Sequence, residues 1–260
     1  MYILLVSIIL LSGCVSTVNP VDPSDVIVKV PSIEMKEFQE KDIAVSVTNN
    51  ATLPIDSVSV TSFELFNVLS GGNMNIPGKT KETDVLPSVM INAKIVSPGF
   101  KEASNASMLT LSYASGKDNK GNPVMKTKSV PVLTTVLPDA KLQFVGFVKG
   151  LENLRESEAA TWEASAGDNV TITFSIKNDG KSTIDENTLK VFANVENNRM
   201  GNNNSIIIGN AMAKGGTSNT LGIQLQVPKN APNGETGVSM TLLMGEKVID
   251  SKTLKLRVKL

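Results

Sequence analysis

The chain carries one cysteine, Cys14, and no histidine in 260 residues. Those two facts remove most catalytic constellations. Without imidazole there is no group whose ordinary pKa lies near neutrality and no commonest transition-metal ligand. One cysteine makes neither an intrachain disulfide nor a multi-cysteine zinc site. Carboxylates remain. Glu152, Glu156, Glu158 and Glu163 gather around the sole tryptophan, Trp162, in "GLENLRESEAATWEASAGD" at 150–168. A carboxylate pair hydrolyses glycosides when one member stays protonated and the other ionised. The competing reading is a solvated acidic face, with Leu151 and Leu154 marking one or two helical turns before the next core strand and Trp162 plugging a core. No catalytic residue, bound metal or cofactor is expected, and the chain reads as non-enzymatic.

Cys14 has a position that suggests another chemistry. Ile3 to Leu11 form an apolar run, followed by the small residues Ser12 and Gly13 and then the cysteine. About nine apolar residues cannot cross a hydrocarbon core as a helix, for which ~20 are needed, but they match a signal-peptide h-region. "LSGC" then looks like a lipobox. In a lipobox small residues fit the peptidase, and the cysteine sulfur accepts the lipid and becomes residue one of the mature chain. The alternative is a small buried residue in an apolar segment. The n-region is only Met1 and Tyr2, without Lys or Arg; either the true start lies upstream or the α-amino group supplies the charge. Residues 1–13 are therefore expected to be a lipoprotein signal peptide, Cys14 the lipid-attachment residue and 14–24, with its two prolines, an extended tether. That places the protein outside the cytoplasm, lipid-anchored to the outer face of the cytoplasmic membrane.

Four Asn-x-Ser/Thr sequons, at Asn50, Asn105, Asn169 and Asn203, are candidate N-glycosylation sites in such a location. Asn169 starts a strand, and Asn203 in "MGNNNS" reads as a loop tip and the better acceptor. Two shorter motifs have plainer explanations. "IPGKT" at 76–80 lacks the earlier glycine of a phosphate-binding loop, because Asn73 stands there, and Pro87 leaves no room for the helix such a loop needs. "GKDNKGNP" at 116–123 alternates oxygen ligands but lacks the closing bidentate Glu of a calcium loop. Asp, Asn and Gly are what a hairpin tip requires.

The elements that position these residues are strands. Aromatics are few, and Val, Thr, Ser, Asn and Ile abound. Lys and Arg equal Asp and Glu at 25 each, so no charge imbalance points to nucleic acid as a partner. "KDIAVSVTNNATLPIDSVSV" from Lys41 and "GDNVTITFSIKNDGKSTIDENTLKVFANV" from Gly167 share one pattern of alternating strand, Asn-rich turn and second strand. Ile43, Val45 and Val47 face one side in the first copy; Val170, Ile172, Phe174 and Ile176 do so in the second. Downstream, Leu221, Ile223, Leu225 and Val227 point inward, as do Val238, Met240, Leu242 and Met244. Leu254, Leu256 and Val258 alternate with Lys255, Arg257 and Lys259. Around seven strands per copy give the expected fold class: all-β, two tandem immunoglobulin-like β-sandwich domains at 25–138 and 139–260, with the boundary near Pro138.

The segments "VTNNATLPIDSVSV", "IKNDGKSTIDENTLKVF" and "LQVPKNAPNGETGVSMTL" resemble the CARDB-type and related immunoglobulin-like repeats of archaeal and bacterial surface lipoproteins and other surface proteins. The resemblance covers most of 25–260 and is better in the second copy; the first has Asn50-Ala51 where the repeat has glycine. It implies extracytoplasmic display, adhesion or spacing in an envelope layer, without family-wide catalytic residues. The expected function is a surface scaffold or adhesion module whose partners are the membrane, through the lipid anchor, and other envelope proteins or glycans. The alternative is an accessory ligand- or glycan-binding module of a transporter or polymer-degrading system, which calls for an exposed aromatic cluster or a concave apolar pocket.

Overall fold

The computed structural model describes residues 19–80, 85–144 and 161–259. The signal segment, Cys14, Glu152, Glu156, Glu158 and the two leucines at 151 and 154 lie outside them. The described chain is all-β, with multiple sheets layered as a β-sandwich requires. It divides into two compact units: Met1–Ile33, Glu40–Val96 and Asn105–Thr134 form the first, and Glu34–Gln39, Ser97–Ser104 and Thr135–Leu260 the second.

Ten strands run from Val26 to Phe144: β1 (Val26–Lys29), β2 (Ile33–Lys36), β3 (Glu40–Asn49), β4 (Ile55–Phe63), β5 (Asn67–Ser70), β6 (Met74–Ile76), β7 (Ser88–Val96), β8 (Ala106–Lys117), β9 (Pro123–Leu137) and β10 (Ala140–Phe144). Seven follow: β11 (Thr161–Ser165), β12 (Asn169–Asn178), β13 (Lys190–Val195), β14 (Asn204–Ile207), β15 (Leu221–Gln226), β16 (Gly234–Met244) and β17 (Lys247–Lys259). Strands before Pro138 form sheets of order β1-β3-β7-β5 and β2-β9-β8-β4-β6; those after it form β10-β12-β15 and β11-β17-β16-β13-β14. The second pair repeats the first strand for strand, except that β5 has no counterpart.

Alternation explains the pairing. In β12 the even positions Val170, Ile172, Phe174 and Ile176 are buried, and in β16 Val238, Met240 and Leu242 are; these residues meet in one core with Leu254, Leu256 and Val258 of β17. Leu221 and Met244 are partly buried against that core. A one-residue slip would turn each set to solvent, so the buried face fixes register. In the first unit Ile43, Val45 and Val47 of β3 are buried in the same way, and Phe63 stacks on Phe66 with ring centroids 4.4 Å apart.

Within 150–168, Thr161–Ser165 is a strand paired in parallel with β17, Thr161 opposite Lys255 through Ser165 opposite Lys259. Trp162 and Ala164 supply its inward face. The strand is too short for its alternation to stand out among the flanking glutamates.

Each unit contains one buried asparagine that organises its loops. Asn49 and Asn178 end β3 and β12, and both are fully buried. Asn178 Oδ1 accepts from the Gly180 N–H at 3.0 Å, while Nδ2 donates to the carbonyls of Ser182, Met212 and Ala213 at 2.9, 3.3 and 3.2 Å. Asn49 does the same: Oδ1 accepts from the Ala51 N–H at 3.0 Å, and Nδ2 donates to Leu53 at 2.7 Å and Pro77 at 3.1 Å. A short amide with both a donor and an acceptor can close an Asx turn and tie a second loop to it. Within the second unit, Glu37 also braces this turn. Its carboxylate accepts from the Lys181 N–H at 3.0 Å and from the Ser182 hydroxyl. Gly180 makes the approach possible, since a Cβ there would lie 1.9 Å from Glu37 Oε1.

Candidate functional site

The chain enters the first unit through a built clamp rather than a loose tether. Val21 is 2 % exposed. Its N–H donates to Ser115 Oγ at 3.2 Å, and its carbonyl accepts from the Tyr113 hydroxyl at 2.8 Å. Ser115 Oγ in turn donates to the Pro54 carbonyl at 2.9 Å, and Lys128 Nζ donates to the Pro23 carbonyl at 2.8 Å. Asp22 then caps a short 3-10 turn, Pro23–Asp25, accepting from the Ser24 N–H at 2.8 Å and its hydroxyl at 2.6 Å. Proline-rich polarity predicted free chain to residue 24; one buried valine whose two backbone groups are met by side chains fixes it from residue 21. Burial, with Asp22 and Asp25 nearby, pushes the Tyr113 phenol up to about 12.

Of the four glutamates near Trp162, the described one, Glu163, is an ion-pair partner. Lys259 Nζ lies 2.8 Å from Oε2 and Arg257 3.2 Å from Oε1. Arg257 also binds Glu235 through Nε at 2.7 Å, and Lys255 approaches Glu235 at 3.7 Å. The hydrogen bond from Lys259 foremost, then Arg257, holds Glu163 below the usual carboxylate range, and Arg257 does the same to Glu235. A general acid needs the opposite shift. Trp162 is 8 % exposed and meets Phe144 edge to face at 5.6 Å, so it is a core plug.

The remaining motifs resolve into turns. Asp118 accepts from the backbone N–H groups of Lys120 and Asn122, each at 2.8 Å, at the tip between β8 and β9. The Asn122 bond above all lowers its pKa, and both carboxylate oxygens serve the turn. Gly78 of "IPGKT" lies against the Thr52 carbonyl, which a Cβ would meet at 2.0 Å. The glycine serves close backbone approach.

Asn50 follows the β3 lock and is half-buried, with Lys79 Nζ 3.4 Å from its Oδ1; Asn105, Asn169 and Asn203 are exposed. Asn203 is not at a free loop tip. Its Oδ1 accepts from the Val195 N–H at 2.8 Å, and its neighbours reach across to the open edge of β15. Asn202 accepts from the Gln226 N–H at 2.5 Å and Asn204 donates to the Gln224 carbonyl at 2.7 Å. These side chains occupy the edge that β5 covers on β7 in the first copy. Among the described residues no hydrogen bond uses Nδ2 of the four sequon asparagines.

An open groove in the second unit runs between Glu196, Asn197, Thr236, Gly237, Thr253 and Lys255. Its rim is charged, and among the described residues Phe38 is the one aromatic that is exposed.

No family model and no curated protein matches the sequence. Similar solved structures include red sea bream transglutaminase, at 10% identity and TM-score 0.38 over 91% of this chain. The chain spans 31% of the transglutaminase's length. The calcium-binding domain CBD12 of CALX1.1 is similar at 8% identity and TM-score 0.27, over 88% of this chain and 97% of its own. The YadV chaperone is similar at 11% identity and TM-score 0.28, over 89% of this chain and 100% of its own. Likenesses this distant transfer neither activity nor ligand.

Proposed function

We propose that the protein is a non-enzymatic lipoprotein of the cell envelope. Tandem immunoglobulin-like, CARDB-like sandwiches are held at the outer face of the cytoplasmic membrane by a lipid on Cys14, and their loops and edges contact other envelope proteins or glycans. The observation that carries this reading is Leu-Ser-Gly-Cys14 at the end of the Ile3–Leu11 apolar run. The strand order repeated in the two halves of the chain supports the tandem arrangement, and the carboxylates of Glu163 and Glu235, committed to ion pairs, support a binding rather than a catalytic role. The diacyl or diether group of a lipobox cysteine suits stable retention, because one acyl chain alone binds a membrane only marginally. The exposed sequon residues Asn105, Asn169 and Asn203 are candidate acceptors for a glycan, Asn203 with its Oδ1 held by the Val195 N–H.

Fractionating cells that express the parent chain and Cys14→Ser tests this reading. The parent chain should stay in the membrane pellet and be digested by protease added to intact cells. Equal solubility of the two chains, or protection of the parent until lysis, would refute it.

A further inference from the structure

We infer that the end of the first unit bearing the 116–122 hairpin faces the lipid headgroups of the membrane in which the Cys14 anchor sits. The inference rests on the anchor reading above and adds an orientation to it.

The clamp sets the geometry. Val21 is pinned by Tyr113 and Ser115, near the end of β8. It follows Cys14 by seven residues, so the chain between clamp and anchor spans at most about 25 Å at ~3.5 Å per residue. The hairpin tip at Asn119 lies four residues beyond Ser115, two of them past the end of β8, and so at most about 13 Å further on. Met108, at the other end of β8, lies seven residues back, or about 23 Å in the opposite direction. To bring that far end to the bilayer, the tail would have to run taut along the whole flank of the unit. Bringing the hairpin end there leaves it slack.

The surface at this end suits headgroups. Lys117 and Lys120 are exposed at the tip, where Asp118 has turned its carboxylate into its own loop, while Met125, 58% exposed, and Lys126 lie level with the clamp, opposite Ala114 and Tyr113, with Asp22 facing Lys126. Cations beside an apolar side chain match a phosphate layer above acyl chains. The loops that meet the clamp close the same end: the Asn50 N–H donates to the Asp25 carbonyl at 2.9 Å, and the Lys79 N–H to Ala51 at 2.7 Å.

The test places one fluorophore at either end of the unit. Lipidation consumes the Cys14 thiol, so Asn119→Cys or Leu65→Cys gives a chain with one free thiol. Leu65 is 49 % exposed, in the turn after β4 whose neighbour Glu64 donates its N–H to the Met108 carbonyl. Each labelled, lipidated protein is reconstituted into vesicles containing headgroup-spin-labelled lipid. Emission from position 119 should be lost to a greater extent than from position 65, and the Tyr113→Phe/Ser115→Ala pair, which opens the clamp, should narrow the difference. Equal loss at both positions, or greater loss at 65, overturns the inference. Intact mass of the same preparations separates the two failures: lipidated protein with equal quenching leaves the anchor standing and removes the orientation, whereas protein without lipid mass removes both.

Discussion

Replacing Asn178 with alanine should destabilise the second unit by about 2–6 kcal/mol. The magnitude follows from counting what is orphaned. Four backbone groups bond the Asn178 side chain, but Met212 also accepts from the Ile184 N–H at 2.9 Å and Ala213 from the Gly216 N–H at 2.9 Å, so these two keep a partner. The Gly180 N–H and the Ser182 carbonyl lose theirs, and a buried group left unsatisfied costs about 1–3 kcal/mol. Against a total stability of about 5–15 kcal/mol this is a large fraction. Asn178→Asp is the sharper variant. It keeps the acceptor for Gly180 but turns an anionic oxygen toward three carbonyls, which raises the folded-state pKa of the new carboxyl above its unfolded value of about 3.9. The penalty is therefore full above the folded pKa and fades as pH falls toward 4. The assay is guanidinium unfolding followed by emission of Trp162, the sole tryptophan, buried in the core of this unit. Each variant is compared with the parent at pH 7 and pH 4.5. A shift in midpoint worth under about 1 kcal/mol for alanine, or an aspartate variant whose deficit ignores pH, would refute the lock.

Three further outcomes follow from the same contacts. Tyr113→Phe should cost about 1 kcal/mol by leaving the Val21 carbonyl unmet; the parent should lose stability as pH rises from 10 through about 12, the phenol's folded value, and the variant, in which only the lysines still titrate, should lose less over that range by circular dichroism. Gly78→Ala should cost about 1–3 kcal/mol, because its Cβ meets a backbone carbonyl at 2.0 Å; an unchanged melting temperature would contradict that packing. Glu163 and Glu235 have pKa values lowered from 4.5, so their contribution is present above that pH and lost as pH falls through the depressed values. The Glu163→Gln chain should therefore show a shallower fall in melting temperature between pH 5 and pH 3 than the parent, and parallel curves would dismiss the ion pairs as stabilising.

What the sequence shows plainly is whatever repeats with period two. Val170, Ile172, Phe174 and Ile176 announce a half-buried strand, and the same pattern from Ile43 announces its counterpart, because each residue's face is set by the pleat alone. Contacts between a side chain and a distant backbone group leave no such trace. Asn49 and Asn178 look like ordinary turn residues in "TNN" and "KND", yet their second role depends on loops reached only through Pro77 and Met212. Val21 stands between two prolines with no periodicity around it, and its burial depends on Tyr113 and Ser115, over ninety residues on. Asn202 and Asn204 cover a sheet edge that becomes visible only once β15 has its partner. Among the candidate functional residues, Glu163 was legible as an acid but not as a paired one, since Arg257 and Lys259 arrive from the parallel strand.

The most direct test of the lipid-anchor account is the intact mass of the protein extracted by detergent from its native membrane, beside Cys14→Ser. The account predicts a chain that begins at Cys14 and carries added lipid mass, both absent in the variant. A chain that retains residues 1–13 with a free thiol at Cys14 would contradict it.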